Sequence, residues 1–232
     1  MFVIFLTRSR GLMSRRLGSS DPPLLNVRRG PLRGRPVALL NPGIGAPSSV
    51  LAFEHAIRAG HRDFWFLGAC GGIQEDLRIG DVVLVDAAVS EEGTSRLYTR
   101  RGPEHAADPA LTRVLAAAAA RTGIAVRRGR VWTTDAPYRE SAAKVRRYRA
   151  GGILGVDMEI SALFAVARVR SVRVAGLLVV SDTVGDVRTV GWHWKAFRRG
   201  EDSARALLLE AALGRREAAH SWGAVGGRGD GR

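Results

Sequence analysis

The chain has 232 residues, of which 36 are Lys or Arg and 22 are Asp or Glu, so its formal net charge is +14. Its 46% hydrophobic and 25% charged residues are typical of a globular protein, and its length suggests one domain with a full core. The single cysteine, Cys70, excludes a disulfide scaffold or a multi-cysteine zinc site, and no two histidines have H-x-x-x-H spacing, so we predict no metal.

Nothing in the sequence predicts a membrane protein or a secreted protein. No apolar run approaches the roughly 18 residues that a membrane span needs. The opening run MFVIFL is too short for the core of a signal peptide and is soon followed by arginines. We therefore expect a cytoplasmic protein.

Basic residues are concentrated at the start of the chain. Residues 1–36 contain eight arginines and one acid, Asp21, which gives this part a charge of +7. Such a charge is typical of binding to nucleic acid or another polyanion. However, no nucleic-acid-binding motif and no interleaved aromatic residues accompany it, so we consider nucleic acid an unlikely partner. A small substrate that carries phosphate is an equally good partner for these arginines.

Apolar runs typical of strands alternate with helical segments along the chain. The predicted strands are residues 2–6, 36–40, 64–67, 81–85, 124–126, 130–133 and 174–180. The predicted helices are residues 48–60, 109–122, 141–150, 158–168 and 202–213. We interpret residues 26–34 as a basic loop. Residues 1–222 are predicted to form one domain, and residues 223–232, with five glycines, a disordered tail that follows it. The alternation predicts an α/β fold of a single domain, with a central mixed β-sheet flanked by helices.

Two glycine-rich turns follow predicted strands. They are NPGIGAPSS at residues 41–49 and GACGGI at residues 68–73. Glycines such as Gly43, Gly45, Gly68 and Gly71 let backbone N–H groups approach an anion, although both segments are also compatible with simple tight connections. Neither turn has the G-x-G-x-x-G spacing of a dinucleotide site or the GK[ST] of a P-loop, so NAD and ATP are not predicted.

Four motifs in order resemble the nucleoside phosphorylase superfamily. They are GIGAPS at 43–48, GACGGIQEDLRIGDVV at 68–83, GVDMEISALFAVA at 155–167 and VVSD at 179–182. That superfamily includes purine nucleoside phosphorylase, uridine phosphorylase and the methylthioadenosine/S-adenosylhomocysteine nucleosidases, and the resemblance covers about residues 34–184. It implies a pentosyltransferase of nucleoside phosphorylase-like fold that uses inorganic phosphate as co-substrate and needs no cofactor. It also implies a homo-oligomer, either a dimer or a hexamer.

The segment 155–167 carries the first candidate carboxylates. Its apolar residues have helical spacing, and Asp157 and Glu159 lie at the start of that helix, where the helix dipole alone would favour acids. The resemblance implies that Met158 packs against the ribose and that Glu159 accepts hydrogen bonds from its 2′- and 3′-hydroxyls. We include Asp157 among the substrate-binding candidates.

Asp182 ends an apolar predicted strand, where a carboxylate is well placed to act as a general acid. On the residues alone, an Asx turn or a helix cap is an equally open interpretation. The resemblance implies that the pair Ser181 and Asp182 donates a proton to N7 of a departing purine. We therefore predict Asp182 as the catalytic residue and slightly favour a purine over uridine.

The remaining substrate candidates come from three segments. In the segment 130–141, which is also compatible with a surface turn, the resemblance to the base pocket points to Tyr138, with Pro137 where phenylalanine is more common. Thr94 is a weaker candidate in the segment 92–98. The glycine-rich segment contributes Gly68, Ala69, Cys70 and Gly71 to the predicted substrate site.

The predicted phosphate site departs from the family pattern. Family phosphorylases open with Gly-Asp-Pro-x-x-Arg after their first strand, whereas this chain has TRSRG at 7–11. Gly43 and Gly45, together with Arg8, Arg10 and Arg29, are our phosphate-binding candidates. Phe66 and Ala69 stand where the family carries an arginine and a hydroxyl residue. Hydrolysis of the nucleoside and noncatalytic binding of a nucleoside therefore remain alternatives to phosphorolysis.

Overall fold

A computed structural model describes residues 4–9, 26–32, 35–100, 102–184, 188–189 and 193–214 of the chain. Its strands are β1 (Ile4–Ser9), β2 (Asn26–Leu32), β3 (Arg35–Asn41), β4 (His61–Gly72), β5 (Val82–Ser90), β6 (Glu104–Ala106), β7 (Arg127–Thr133), β8 (Gly155–Asp157), β9 (Arg173–Val184) and β10 (Arg188–Thr189). Its helices are α1 (Ala46–Arg58), α2 (Thr94–Tyr98), α3 (Pro109–Thr122), α4 (Ala142–Ala150), α5 (Ile160–Val169) and α6 (Trp194–Gly214), with a short 3₁₀ turn at Pro137–Arg139.

Five strands pair in a closed ring. β4 pairs with β9, β9 with β5, β5 with β7, β7 with β8, and β8 returns to β4. The pairs β4–β9, β5–β7 and β7–β8 are parallel, whereas β5–β9 and β4–β8 are antiparallel. β1, β3 and β2 extend the sheet beyond β4 as antiparallel neighbours. The sheet is therefore mixed. Each of the five strands in the ring pairs with a neighbour on both sides.

The parallel pair of β4 and β9 lies at the centre of the sheet. Its register runs from Asp63 opposite Arg173 to Gly72 opposite Thr183, with an irregularity between Cys70 and Gly71. At the beginning of the pair, the Arg173 guanidinium donates two hydrogen bonds of 2.7 Å to the Asp63 carboxylate. Such a two-pronged contact also fixes the relative orientation of the two groups. The carboxyl ends of both strands consequently lie side by side.

The two faces of the sheet are covered by different helices. One core cluster contains buried residues of α1 and α5 together with Phe64, Phe66 and Cys70 of β4. The other contains buried residues of α3 and α6, and here β4 contributes the alternate residues Trp65, Leu67 and Ala69. Successive side chains of a strand point to opposite faces, so β4 is apolar on both sides.

Helix ends follow ordinary capping chemistry. Asp108 accepts a hydrogen bond from the Leu111 N–H at 2.8 Å at the start of α3, and that helix ends at Gly123 with a φ of +68°.

Side-chain contacts attach the short helix α4 to the rest of the protein. Glu91 accepts hydrogen bonds from Lys144 and from the Tyr148 hydroxyl of this helix. The Tyr148 ring stacks on Trp132 of β7 with ring centroids 4.5 Å apart.

The predicted fold class is confirmed, with a mixed central sheet flanked by helices. Three local predictions were wrong. Of the predicted loop 26–34, residues 26–32 form β2, which pairs along its whole length with β3, and residues 33–34 lie outside the described residues. Residues 124–126 precede β7, which begins at Arg127. The segment GACGGI is largely strand and not a turn, because β9 continues to pair with β4 as far as Gly72. The predicted tail, residues 223–232, lies outside the described residues.

Across the described ranges, no helix is both long enough and apolar enough to cross a membrane. The same part of the chain contains no group of three or more His, Cys, Asp or Glu side chains arranged to hold a metal ion.

Candidate functional site

Glu159 lies where the loop before α1 meets the start of α5. Its Oε1 accepts a hydrogen bond of 2.6 Å from the Gly45 N–H, and its Oε2 accepts one of 3.3 Å from the Met158 N–H. The backbone of Gly45 has a φ of +93°, which residues other than glycine rarely adopt. Glycine at this position therefore allows the loop to present its N–H group to Glu159. The Glu159 side chain is fully buried, and each carboxylate oxygen keeps further acceptor capacity.

Asp157 positions the start of α5. Its Oδ2 accepts hydrogen bonds from the N–H groups of Glu159 and Ile160, at 3.0 and 2.7 Å. Its Oδ1 accepts a hydrogen bond of 2.6 Å from the Thr133 hydroxyl of β7. Three of the protein's own donors therefore contact Asp157, against two for Glu159, and they attach Asp157 to the start of the helix that carries Glu159. Substrate binding by Asp157 stays a prediction.

The ionisation of these two acids is coupled through their proximity. Burial raises the pKa of Asp157, although hydrogen bonds from Thr133, Ile160 and Glu159 oppose that effect. Burial also raises the pKa of Glu159, and the nearby Asp157 carboxylate raises it further. A full negative charge on Glu159 therefore forms at higher pH than on a carboxyl group in water.

Sequence reasoning missed a third buried acid, Glu92. Its Oε1 accepts hydrogen bonds from the hydroxyls of Ser90 and Ser161, at 2.9 and 3.0 Å, and its Oε2 accepts one from the Ser95 N–H at 3.0 Å. Burial would raise the pKa of Glu92, but these hydrogen bonds outweigh it and hold the pKa below its ordinary value. Because Ser161 belongs to α5, Glu92 gives this helix a second attachment. No capping pattern pointed to Glu92, because Gly93 and not Glu92 is the N-cap of α2.

Ser181 and Asp182 lie at the carboxyl end of β9, beside the end of β4. The Ser181 hydroxyl is within hydrogen-bond distance of Asp182 Oδ1, at 2.7 Å, and of the Cys70 carbonyl, at 3.2 Å. Gly71 pairs with Asp182, and a Cβ added at Gly71 would lie 2.6 Å from a methyl group of Val184 and 3.5 Å from Asp182 Oδ2. Glycine is therefore required at this position for the two strand ends to approach.

Cys70 links the two acidic regions. Burial raises the pKa of the Cys70 thiol well above its ordinary value, and the carboxylates of Asp157 and Asp182 raise it further. The thiol thus lies within electrostatic range of both acids. The structure brings these predicted substrate and catalytic residues together at this end of the sheet, with the predicted phosphate residue Gly45: Cys70, Gly71, Asp157, Met158, Glu159, Ser181 and Asp182.

Several predicted residues are placed differently. The Ala69 methyl belongs to the core cluster of α3 and α6, so only its backbone is available on the other face. Gly68 lies within β4. Tyr138 and Pro137 lie on the 3₁₀ turn, where the Tyr138 side chain is 99% exposed. Thr94 begins α2 and lies beside the hydrogen bonds of Glu92.

The predicted phosphate ligands are only partly described. Gly43 and Gly45 lie in the loop between β3 and α1, but the Gly45 N–H donates to Glu159 rather than toward an open anion site. Arg10 lies outside the described residues. Arg8 and Arg29 are within β1 and β2, but their side chains are likewise outside the described part of the structure.

Comparison with known proteins connects this chain to one family. The family model described as "Phosphorylase superfamily" matches residues 18–213. The chain is 34% identical over 150 residues to guanosine phosphorylase from Halorubrum lacusprofundi, which covers 63% of this chain and 61% of that protein. It is 32% identical over 189 residues to the DeoD-type purine nucleoside phosphorylase of Bacillus cytotoxicus, which covers 79% and 78% of the two chains.

A solved structure also matches. The crystal structure of uridine phosphorylase from Vibrio fischeri, complexed with 6-hydroxy-1-naphthoic acid, superposes with a TM-score of 0.73 at 28% identity. The match covers 82% of this chain and 79% of that chain.

Removing the Asp157 carboxylate tests its role in holding α5. Asp157→Ala should destabilise the protein by about 2–3 kcal/mol, because two N–H groups and the Thr133 hydroxyl lose a buried acceptor. Asp157→Asn keeps one carbonyl oxygen for the two N–H groups and should cost only about 1 kcal/mol. Urea denaturation measures both free energies of unfolding.

The matched control is Asp202→Ala on the exposed side of α6, for which we expect a change within about 0.5 kcal/mol. A stable Asp157→Ala protein would show that Asp157 does not hold the helix.

Proposed function

The chain belongs to the phosphorylase superfamily, and on this basis we propose that it is a nucleoside phosphorylase, a pentosyltransferase that cleaves nucleosides with inorganic phosphate. A phosphate oxygen attacks C1′ of the pentose, the N-glycosidic bond breaks, and its electron pair leaves with the base. The products are the free base and a pentose 1-phosphate. The carrying observation is the strand pairing at Gly71, which lies opposite Asp182 of β9 and opposite Val156 of β8, the strand that leads into Met158 and Glu159.

Glu159 is the proposed ribose ligand. It is anchored on one side by the Gly45 N–H, and it retains acceptor capacity for the 2′- and 3′-hydroxyls. A charged acceptor that grips two hydroxyls is both strong and geometrically specific. It would hold the pentose in place while positive charge develops at C1′. Met158, half-buried beside it, would pack against the sugar.

Asp182 is the proposed general acid. The departing purine takes up electron density as the bond breaks, and a proton delivered to N7 makes it a better leaving group. The hydrogen bond with Ser181 orients the Asp182 carboxyl at the strand end. The names of the guanosine and purine nucleoside phosphorylases among the relatives support a purine base. The structural match to uridine phosphorylase, in contrast, is to an enzyme named for a pyrimidine nucleoside.

Hydrolysis is the second candidate, and Phe66 is the observation that favours it. Phe66 stands where the superfamily phosphorylases carry an arginine, and its ring is fully buried in the core cluster of α1 and α5. The neighbouring Ala69 offers no hydroxyl and faces the opposite cluster. Each missing charge-assisted contact to phosphate would cost about 1.5–3 kcal/mol of binding. Gly43, Arg8, Arg10 and Arg29 remain the proposed phosphate ligands.

The proposal extends to the setting of the reaction. Phosphate is the co-substrate, and the proposed chemistry requires no further cofactor. We also propose a homo-oligomer, dimeric or hexameric, in the cytoplasm. Nucleic-acid binding is not part of this proposal.

The direct test offers the protein guanosine, inosine, adenosine, uridine and methylthioadenosine, each with and without inorganic phosphate. We expect a purine nucleoside to release its base only with phosphate, and pentose 1-phosphate to accumulate in equal amount. Chromatography of the base and of the sugar product measures both. Free pentose in either buffer would establish hydrolysis instead, and binding without any cleavage would indicate a noncatalytic nucleoside-binding protein.

Glu159→Gln should lower kcat/KM at least about tenfold, because a neutral amide is a weaker acceptor for the ribose hydroxyls. An ordinary glutamate has a pKa near 4.3, and the pKa of Glu159 is raised above it. The wild-type kcat/KM should therefore begin to fall, as the pH is lowered, at a pH well above about 4.3. The glutamine variant should lack that acid limb. Steady-state kinetics as a function of pH measures both effects.

The control for that experiment is Glu75→Gln, whose side chain is 83% exposed and should leave the kinetics unchanged. Wild-type activity of Glu159→Gln on every cleaved nucleoside would show that Glu159 does not bind ribose.

Asp182→Ala should lose at least about a hundredfold in kcat on purine nucleosides, because general acid catalysis typically contributes 10²–10⁴-fold. Asp182→Asn should lose less, since its amide can donate a hydrogen bond to N7 without transferring a proton. Assays with purine nucleosides and with uridine measure the difference, and Asp202→Ala again serves as control. Cleavage of uridine but not inosine, unaffected by Asp182→Ala, would overturn the purine assignment.

A further inference from the structure

A cavity of about 400 Å³ lies between the end of β5, the short helix α2 and the segment leading into β6. Its walls combine cationic, hydroxyl and imidazole groups: Ser90, Ser95, Arg96, Thr99, Arg100, Gly102, Pro103 and His105. The residues assigned above to ribose and base, Met158, Glu159, Ser181 and Asp182, are not among them. The volume falls in the range typical of sites for small molecules, roughly 300–1,000 Å³, and exceeds what a bare inorganic anion fills.

The outer wall of the cavity is cationic. Arg96 and Arg100 both line it and both are exposed. Neither guanidinium forms an ion pair with an acid in the described part of the chain, whereas many other arginines of this protein do. Guanidinium groups present several N–H donors in a planar fork that matches a phosphate group. This wall is therefore suited to an anion.

The inner wall offers acceptors. The Ser90 hydroxyl donates its hydrogen toward Glu92, and the Ser90 and Ser95 oxygens lie 2.8 Å apart. A hydroxyl has one hydrogen and two lone pairs, so serines whose hydrogens are used within this network present lone pairs to a ligand. Groups that donate hydrogen bonds, such as the hydroxyls of a sugar, complement this wall.

His105 completes the inner wall. The residue is 5% exposed, and its buried Nδ1 has no hydrogen-bond partner among the residues that the structure describes. Burial lowers the pKa of His105, which keeps the ring neutral near pH 7. A neutral imidazole can accept one hydrogen bond and donate another, and an unpaired buried polar atom costs stability. A hydroxylated ligand would supply such a partner.

We infer that this cavity binds a small phosphate monoester with a polyhydroxylated body, of the size of a sugar phosphate. The phosphate group contacts Arg96 and Arg100, and the hydroxyls of the body contact Ser90, Ser95 and His105. The residues that line this cavity differ from those proposed to bind ribose and base, and the inference does not depend on the activity proposed there. It adds a second ligand class to this chain.

Calorimetric titration of the full-length protein with ribose 5-phosphate tests the inference, with inorganic phosphate and ribose as separate titrations. Wild-type protein should bind ribose 5-phosphate more tightly than either part alone. The double variant Arg96→Ala/Arg100→Ala should weaken this binding at least tenfold. The matched double variant Arg58→Ala/Arg113→Ala, which removes two exposed arginines from α1 and α3, should change it less than twofold.

Glu159→Gln separates this cavity from the nucleoside site and should leave ribose 5-phosphate binding unchanged. Loss of binding in Glu159→Gln, or its retention in Arg96→Ala/Arg100→Ala, would place the probe elsewhere and overturn the inference. Absence of binding to the wild type at millimolar probe would also overturn it. Equal affinity for inorganic phosphate would refute the role of the hydroxylated body.

Discussion

The parallel pairing of β4 with β9 is the constraint on which the rest of the structure depends. Each strand has twelve residues, and both are buried between two layers of helices. Because parallel strands end on the same side of a sheet, the pairing brings Gly71 next to Asp182. β8 then pairs with Gly71 and Gly72 and leads directly into α5. The pair β4–β9, with β8 beside it, thus brings Asp182 and the segment of Asp157 and Glu159 to the same end of the sheet.

The buried acids around α5 show how hydrogen bonding and desolvation divide their roles. For Glu92, hydrogen bonds from serines outweigh the cost of burying the charge, so its pKa is lowered and the charged form is favoured. A carboxylate that stays charged is suited to holding α5 in place. Asp157 has three donors, and yet burial still dominates. Glu159 has only two backbone donors and lies near another carboxylate, so its charge is the least compensated. An acid in that condition gains most from the donors of an incoming ligand.

Local sequence patterns predicted what depends on local chemistry. The turn at Gly43 and Gly45 and the start of α5 followed from glycine placement and helical periodicity, and family motifs pointed to Glu159. The patterns could not show that residues 26–32 pair with β3, or that β4 continues to Gly72, because distant partners decide both. Glu92 was missed because Ser161, the partner that connects it to α5, lies 69 residues further along the chain.

The contact between Gly45 and Glu159 has a consequence for the order of events during synthesis. The glycine leaves the ribosome 114 residues before the carboxylate that it will bind. At about 5–20 residues per second, the delay is roughly 6–23 s. Until then the Gly45 N–H can be satisfied only by water or by a transient partner. Contacts between residues so distant in sequence are also slow to form, because a long loop must close first. The candidate ribose ligand can therefore reach its final geometry only after about two thirds of the chain has been synthesised.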